Sequence, residues 1–217
     1  MLKLYSYFRS SAAYRVRIAL ALKGLPYETV PVHLLKDGGQ QHGAAYRATN
    51  PQALVPALQE SADGPVLTQS LAIIEYLDEA HGGAPLLPGD ALGRARVRAL
   101  AQAVACDLHP LNNLRVLRHL KHDLGVSEEQ KDAWYAHWVA LGLAAVEEML
   151  ARSPETGRFC HGDAPGLADC CLVPQVFNAQ RFNCPMDGYP TIARIVAECE
   201  ALPAFQQAAP ERQPDAA

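Results

Sequence analysis

Ser10 and Ser11 stand where an apolar run, residues 2–7, gives way to an amphipathic stretch, residues 14–22. That order reads as a strand feeding a helix through a tight turn. Two hydroxyls and the N–H groups of a helix N-terminus then point at one spot, which favours an anion such as a thiolate. An ordinary N-cap fits the same pattern, because serine is a preferred cap residue. Two further segments carry related chemistry. Leu54-Val55-Pro56-Ala57 places a proline at the mouth of a strand. A cis peptide there leaves the Val55 N–H and C=O open to an extended peptide ligand, while a trans proline simply opens an edge strand. Gln69-Ser70 stands at another helix start and offers an amide, a hydroxyl and N–H groups to a carboxylate, or only a cap to its own helix.

The elements that must carry these groups are readable from pattern. A strand over 2–7 leads to a helix over 11–23, with Gly24 at its C′ position. Residues 27–32 alternate as a strand, and 36–48 are polar and irregular, with at most a short helix. Residues 57–59 and 66–68 form a hairpin across Asp63-Gly64, and Ser70 caps a helix over 71–80. The order βαβ–α–ββα belongs to an α/β domain over 1–82. A Gly/Pro-rich linker covers 83–90, and everything in 91–217 has a helical pattern. One long helix is expected from near Asp90 through His109-Pro110 toward His119. Ser127-Glu-Glu-Gln130 is a capping box opening a second long helix to Leu150. A third spans 167–181 with Pro174 bending it, led by Gly166 where a capping serine would stand and Asp169 as the capping acid. Pro190 occupies N1 of a last helix over 191–201, and the tail from Pro210 is expected to be loosely ordered.

Composition narrows the function classes. The chain has 217 residues, 49% hydrophobic and 19% charged, with a formal net charge of −4. That suffices for one large or two small domains with a real core and excludes a disordered chain. Lys and Arg are dispersed, which argues against nucleic acid as a partner. No apolar run approaches the roughly 18 residues a membrane helix needs, and no signal peptide is read at the start. The six cysteines, Cys106, Cys160, Cys170, Cys171, Cys184 and Cys199, contain no C-x-x-C pair and no zinc spacing. They read as buried, reduced thiols of a cytoplasmic protein, Cys106, Cys170, Cys171 and Cys199 in apolar helical surroundings. No metal site is expected. A thiol–disulfide oxidoreductase is excluded, because no cysteine opens the first helix.

Together the three polar segments resemble the glutathione site of the glutathione transferase superfamily. The resemblance covers the whole chain: an α/β thioredoxin-like N-terminal domain, a Pro/Gly linker and an all-α C-terminal domain. It sharpens to the zeta class on Tyr5-Ser-Tyr-Phe-Arg-Ser-Ser11, residues 15–24, 36–41 and 69–77, His109-Pro-Leu-Asn-Asn113, Leu172-Val-Pro-Gln175 and Gln213-Pro-Asp215. That class comprises maleylacetoacetate isomerases, with maleylpyruvate isomerases as relatives. The resemblance implies cis–trans isomerisation of a conjugated double bond in a dicarboxylic oxo-acid of aromatic amino-acid breakdown. Glutathione would serve as a cofactor that is returned each turnover, in a homodimer. A conjugating transferase is the alternative activity of the fold.

The resemblance also assigns residues. Ser11, Ser10 and Arg9 would be catalytic, with Ser11 and the helix amides lowering the thiol pKa. Glutathione would be held by Ser10, Ser11, Arg15, Gln41, Val55, Pro56, Gln69, Ser70, His109 and Asn113. The substrate's carboxylates call for arginines, and Arg9, Arg115 and Arg181 are the candidates. Helix phase is expected to turn Arg15 and Arg17 off the serine face, which sets a structural role against the ligand role for Arg15. Position 12 departs from the class pattern, with alanine where the class usually carries cysteine. A chain without that cysteine must borrow its thiol.

Overall fold

The structure, a computed structural model, describes residues 1–216. The chain forms two compact units. One joins Met1–Leu86 to the segment from Glu200 onward, and the other is Leu87–Cys199. The expected helical domain over 91–217 therefore ends early, and the last stretch belongs to the first unit.

In the first unit, β1 (Leu2–Ser6), α1 (Ser11–Leu22), β2 (Tyr27–Pro31), α2 (Ala44–Thr49), β3 (Ala57–Gln59), β4 (Val66–Thr68) and α3 (Ser70–Ala80) follow in order. The sheet order is β2-β1-β3-β4. β1 and β2 are parallel, joined through the α1 crossover, while β3 and β4 run antiparallel to their neighbours. Residues Leu2, Leu4 and Ser6 alternate onto the buried face of β1, and Gly24 ends α1 at φ +64, a conformation that needs no Cβ. Ile18 and Leu20 of α1 join Leu58, Ile73, Ile74 and Leu77 in the core.

The second unit contains α4 (Ala91–Gln102), α5 (Leu114–Arg118), α6 (Glu128–Ala151), α7 (Leu167–Arg181) and α8 (Pro190–Glu200), the last reaching the unit boundary. The single helix expected from residue 90 to 119 is interrupted. α4 passes into a π-helical turn, Ala103–Leu108, then a tight 3-10 turn, His109–Asn112. Asn113 breaks the run, and its Oδ1 accepts the Val116 N–H at 3.2 Å to start α5. Pro110 has no N–H to continue a regular ladder, and asparagine is a strong cap. A second π-helical turn, His119–Asp123, follows α5. The expected capping box opens α6, with Ser127 Oγ accepting from Gln130 N at 3.1 Å and Gln130 Oε1 from Ser127 N at 2.9 Å. On α6, a Cβ at Gly142 would come within 2.3 Å of Leu108 Cδ1 and 3.2 Å of its Cβ. Glycine there lets the first π turn approach α6 closely. Glu147 of α6 accepts the N–H groups of Thr191 and Ile192 at 2.9 Å each, supplying α8 with its N-terminal acceptor.

α7 runs unbroken through Pro174. Gly166 has no side chain to cap it, so only the acid half of that device exists. Asp169 accepts from Gly166 N and from Cys160 N, both at 2.9 Å. Burial raises the Asp169 carboxyl pKa, and those two backbone donors pull it back. Five cysteines are buried as expected, but Cys106 is exposed: it lies on the outer side of the π turn, beyond the reach of a period taken from an α-helix.

α9 (Pro203–Ala208) returns to pack on α1 in the first unit. The tail from Pro210, expected to be loosely ordered, takes up defined structure as far as residue 216, and residue 217 lies outside the described residues. A 3-10 turn covers Pro210–Arg212, and Gln213 Nε2 donates to the carbonyls of Gln207 and Ala209 at 3.0 Å each. Arg17 is the anchor. It is 0% exposed and donates from Nε to Ala208 C=O (2.9 Å), from Nη1 to Ser6 Oγ (3.2 Å) and from Nη2 to Phe8 C=O (3.0 Å). Burial pushes its pKa down to about 10, which still leaves it charged at neutral pH. Arg17→Met fills similar volume but strands three buried acceptors, so it should destabilise the fold by at least about 3 kcal/mol. Urea unfolding checks this, and a loss below about 1 kcal/mol would show that these bonds do not hold the tail.

Candidate functional site

Strand register brings the three polar segments together. Tyr5 pairs with Ala57, and Ala57 with Thr68. The C-terminal end of β1, the start of β3 and the end of β4 therefore share one edge of the sheet. From that edge depart residues 7–11, 54–56 and 69–70.

At the first, Ser10 is the N-cap of α1 (φ −71, ψ 117), and its Oγ accepts from Ala13 N at 3.2 Å. The cap reading thus holds for Ser10. Ser11 is the first helical residue, 4% exposed, and is not the cap. Arg9 is exposed, its guanidinium 4.8 Å over the Phe8 ring.

At the second, the Val55-Pro56 bond is cis. Among the described residues, the Val55 N–H and C=O take no hydrogen-bond partner. The loop is held by residues the sequence reading passed over. Tyr46 Oη and Asn50 Nδ2 both donate to Leu54 C=O, at 2.6 and 2.8 Å. Asn50 Oδ1 accepts from Gln52 N at 3.0 Å, closing an Asx turn. The Asn50-Pro51 pair was the one local sign of that turn. Tyr46 and Val55 also share a small apolar cluster with Tyr7 and Val32.

The third segment corrects an expectation. Gln69, at φ 70, occupies the N-cap position of α3 and makes no side-chain cap bond, while Ser70 is the first helical residue. Gln69 Nε2 instead donates to Gln52 Oε1 at 2.9 Å. Ser70 Oγ accepts from Arg15 Nη1 at 3.2 Å. Arg15 therefore lies on the serine face after all: positions 11 and 15 are one helical turn apart. Only Arg17 turns away, to the tail. Gln41 is 5% exposed, with Nε2 at 3.1 Å from His42 Nε2 and a buried Oε1 without a partner. A Cβ at Gly39 (φ +105) would strike its amide at 2.6 Å.

The remaining candidates lie in the second unit. His109 opens the 3-10 turn, half-buried. Trp134 Nε1 donating to Leu111 C=O (2.9 Å) and Asn112 Nδ2 donating to Tyr135 C=O (3.2 Å) tie that turn to α6. Asn113 is engaged through its Oδ1 by its own capping bond. Arg115 is exposed on α5. Arg181 ends α7, its Nε donating to Asn178 Oδ1 at 3.3 Å and its guanidinium 4.6 Å over Phe182, which stacks on Tyr135 at 3.9 Å. No cluster of His, Cys, Asp or Glu suited to a metal occurs among the described residues, and no described helix is long and apolar enough to cross a membrane.

The sheet edge can thus hold an extended peptide by its backbone at Val55, a carboxylate at the start of α3 and an anionic sulfur at the start of α1. The comparisons with known proteins agree with that chemistry. A family model for the glutathione S-transferase N-terminal domain matches residues 4–85. A probable maleylacetoacetate isomerase of Vibrio cholerae is 52% identical over 214 residues, 98% of this chain and 97% of that protein. A holo maleyl pyruvate isomerase, described as a bacterial zeta-class glutathione S-transferase, superposes with a TM-score of 0.95 at 50% identity, covering 99% of this chain and 100% of that one. A maleylacetoacetate isomerase of Methylobacterium extorquens AM1, solved with malonate and GSH bound, gives a TM-score of 0.94 at 46% identity, covering 99% of each chain.

The Tyr46 and Asn50 bonds make a measurable statement. Tyr46→Phe should cost about 1 kcal/mol of stability and Asn50→Ala, which loses two bonds, about 2 kcal/mol. A double-mutant cycle should show coupling, because both donors share one carbonyl. Burial raises the Tyr46 pKa from 10.0 to about 12. The folded state therefore prefers the neutral phenol, and this contribution is complete below pH 10 and lost as pH rises toward 12. Denaturation at a series of alkaline pH values should show a shallower fall in the Tyr46→Phe variant.

Proposed function

The chain belongs to the zeta class of the glutathione S-transferase family, and on that premise we propose that its substrate is maleylacetoacetate, isomerised from cis to trans with glutathione as cofactor. The observation that carries this reading is a helix start suited to an anion with no cysteine of its own: Ser11 opens α1 and alanine follows at position 12. The residues present fit a γ-glutamyl tripeptide. The partnerless Gln41 Oε1 suits an N–H donor, Val55 suits an extended peptide backbone, and the Ser70 N-terminus suits a carboxylate.

Bound glutathione supplies a thiolate able to add reversibly to a conjugated carbon–carbon double bond and so free that bond to rotate. In this reading the chain's own groups set the charge balance. Ser11 Oγ and the first N–H groups of α1 donate toward the sulfur, which stabilises its anion over the thiol. Buried Arg15, on the same helix face, adds positive charge that favours the same form. Arg9, Arg115 and Arg181 are assigned to the substrate's carboxylates, where a planar fork gives two parallel bonds. Phe182 and Asn178 hold the Arg181 fork in one plane. His109 and Asn113 are assigned to glutathione. A cytoplasmic homodimer working in tyrosine and phenylalanine breakdown is the setting that fits these roles, and light scattering at micromolar concentration tests the dimer.

Maleylpyruvate is the second reading. The 50% identity to a maleylpyruvate isomerase of Ralstonia over the full length of both chains favours it, and a comparison of kcat/KM for the two acids decides between them. Product should exceed added glutathione many times over, and a stoichiometric thioether would instead mark a conjugating transferase. Ser11→Ala should lower kcat by ~10²-fold or more with little change in glutathione affinity. Full activity would remove Ser11 from its role. Arg181→Lys should lower kcat/KM for the dicarboxylic substrate by about tenfold, since lysine cannot form the paired bonds, and unchanged kinetics would remove Arg181 from the carboxylate site.

A further inference from the structure

The motif Gln213-Pro-Asp215 lies far in sequence from every residue assigned above, yet it ends on the turn that presents Ser10 and Ser11. Asp215 Oδ2 accepts the Phe8 N–H at 2.9 Å, across 207 positions. Arg17 Nη2 donates to the Phe8 carbonyl at 3.0 Å. Phe8 is thus held at its N–H by a carboxylate that accepts and at its C=O by a guanidinium that donates. Two residues on, Ser10 N donates to Tyr7 C=O at 2.9 Å, so the tied residue is inside the turn that sets the direction of α1. The acid is itself placed. Ala216 N closes a turn onto Gln213 C=O at 3.0 Å, and Gln213 is buried with its amide on two carbonyls of the tail. Asp215 Oδ1 is buried and accepts no hydrogen bond, so among the described residues the Phe8 N–H is the one donor to this carboxylate.

We propose that Asp215 is a positioning residue for Ser10 and Ser11, its carboxylate and the Arg17 guanidinium gripping Phe8 from opposite ends. A rotation of the Phe8 peptides would carry the Ser10 cap and the first N–H groups of α1 with it. The donor set for the sulfur would then point elsewhere while the rest of the unit stayed folded. The mechanical part stands on the hydrogen bonds alone. The catalytic part rests on the thiolate reading of Ser11 given above.

Two variants and two readouts separate those parts. In the protein without ligand, Asp215→Ala should speed amide exchange at Phe8, Ser10 and Ala13 by about tenfold relative to α3, the worth of one charge-assisted hydrogen bond. Asp215→Asn keeps an acceptor oxygen and should stay within about threefold of the parent. With glutathione bound, ultraviolet thiolate absorbance should titrate at higher pH in Asp215→Ala than in the parent or in Asp215→Asn, while glutathione affinity by calorimetry holds. Unchanged exchange at those three amides in Asp215→Ala would overturn the proposal. So would uniformly faster exchange through the whole unit, the mark of general destabilisation, or local loosening without a shift in the thiol titration. A parent protein that binds no glutathione would overturn the reading of the site and the catalytic part of this role, while the exchange rates of the ligand-free variants would still decide the mechanical part.

Discussion

A buried guanidinium must find its hydrogen bonds inside the protein, and Arg17 finds them at both ends of the chain. Its partners are the end of β1, the turn after it and the last carbonyl of α9. Among the described residues no carboxylate pairs with it directly. Neutral oxygens solvate it, with Asp215 and Glu211 contributing attraction from farther away. An arrangement of this kind tolerates little displacement, since each acceptor that moves leaves a cation short of solvation in a water-poor place. The position of α1, the docking of the tail and the shape of the turn before Ser10 are therefore one constraint rather than three.

The same economy runs through the opposite side of the sheet edge. Leu54 C=O takes two donors, Tyr46 and Asn50, so that Val55 has to make no bonds within the protein. Arg15 reaches Ser70, so the N-terminal ends of α1 and α3 are linked by one side chain. Both arginines of α1 are buried cations under a helix whose N-terminus is already positive. Acidic side chains are absent from its first turn. Local structure and charge at this helix start thus favour the same kind of group, an anion.

Much of this was legible along the chain because it is local. Period-2 alternation marked β1, Gly24 marked the end of α1, and Ser127-Glu-Glu-Gln130 marked the start of α6. Ser10, Ser11, Val55, Pro56 and Ser70 were readable as site candidates because each sits at an element boundary, where turn and cap chemistry leaves a signature. The misses share a different physics. Serine is a good cap, which points to Ser70, but the chain places Gln69 there in a positive-φ conformation that is uncommon for glutamine. Asn113 breaks a helix whose periodicity never falters, because the π turns before and after it shift the phase without altering composition. Tyr46, Asn50 and Asp215 act through hydrogen bonds to backbone groups 8, 4 and 207 positions away. A backbone acceptor has no residue type, so the sequence holds no record of which carbonyl or N–H will be chosen.

The helical unit enters after Leu86 and leaves at Cys199, so the unit that carries Ser11 is written in two separated stretches. During translation, β1 and α1 are made early, yet the carbonyl of Ala208 that Arg17 requires and the carboxylate that holds Phe8 emerge only after the whole helical unit has been synthesised. Until then Arg17 has a charge and no complete set of acceptors, and a nascent first unit of residues 1–86 has its strands without its bolt. The same discontinuity governs inheritance. A recombination event that replaces the helical unit at a single crossover also replaces the tail, and so separates Arg17 from the partners it was selected with. Exchange between relatives is conservative only when it crosses the gene twice, once on each side of the inserted unit.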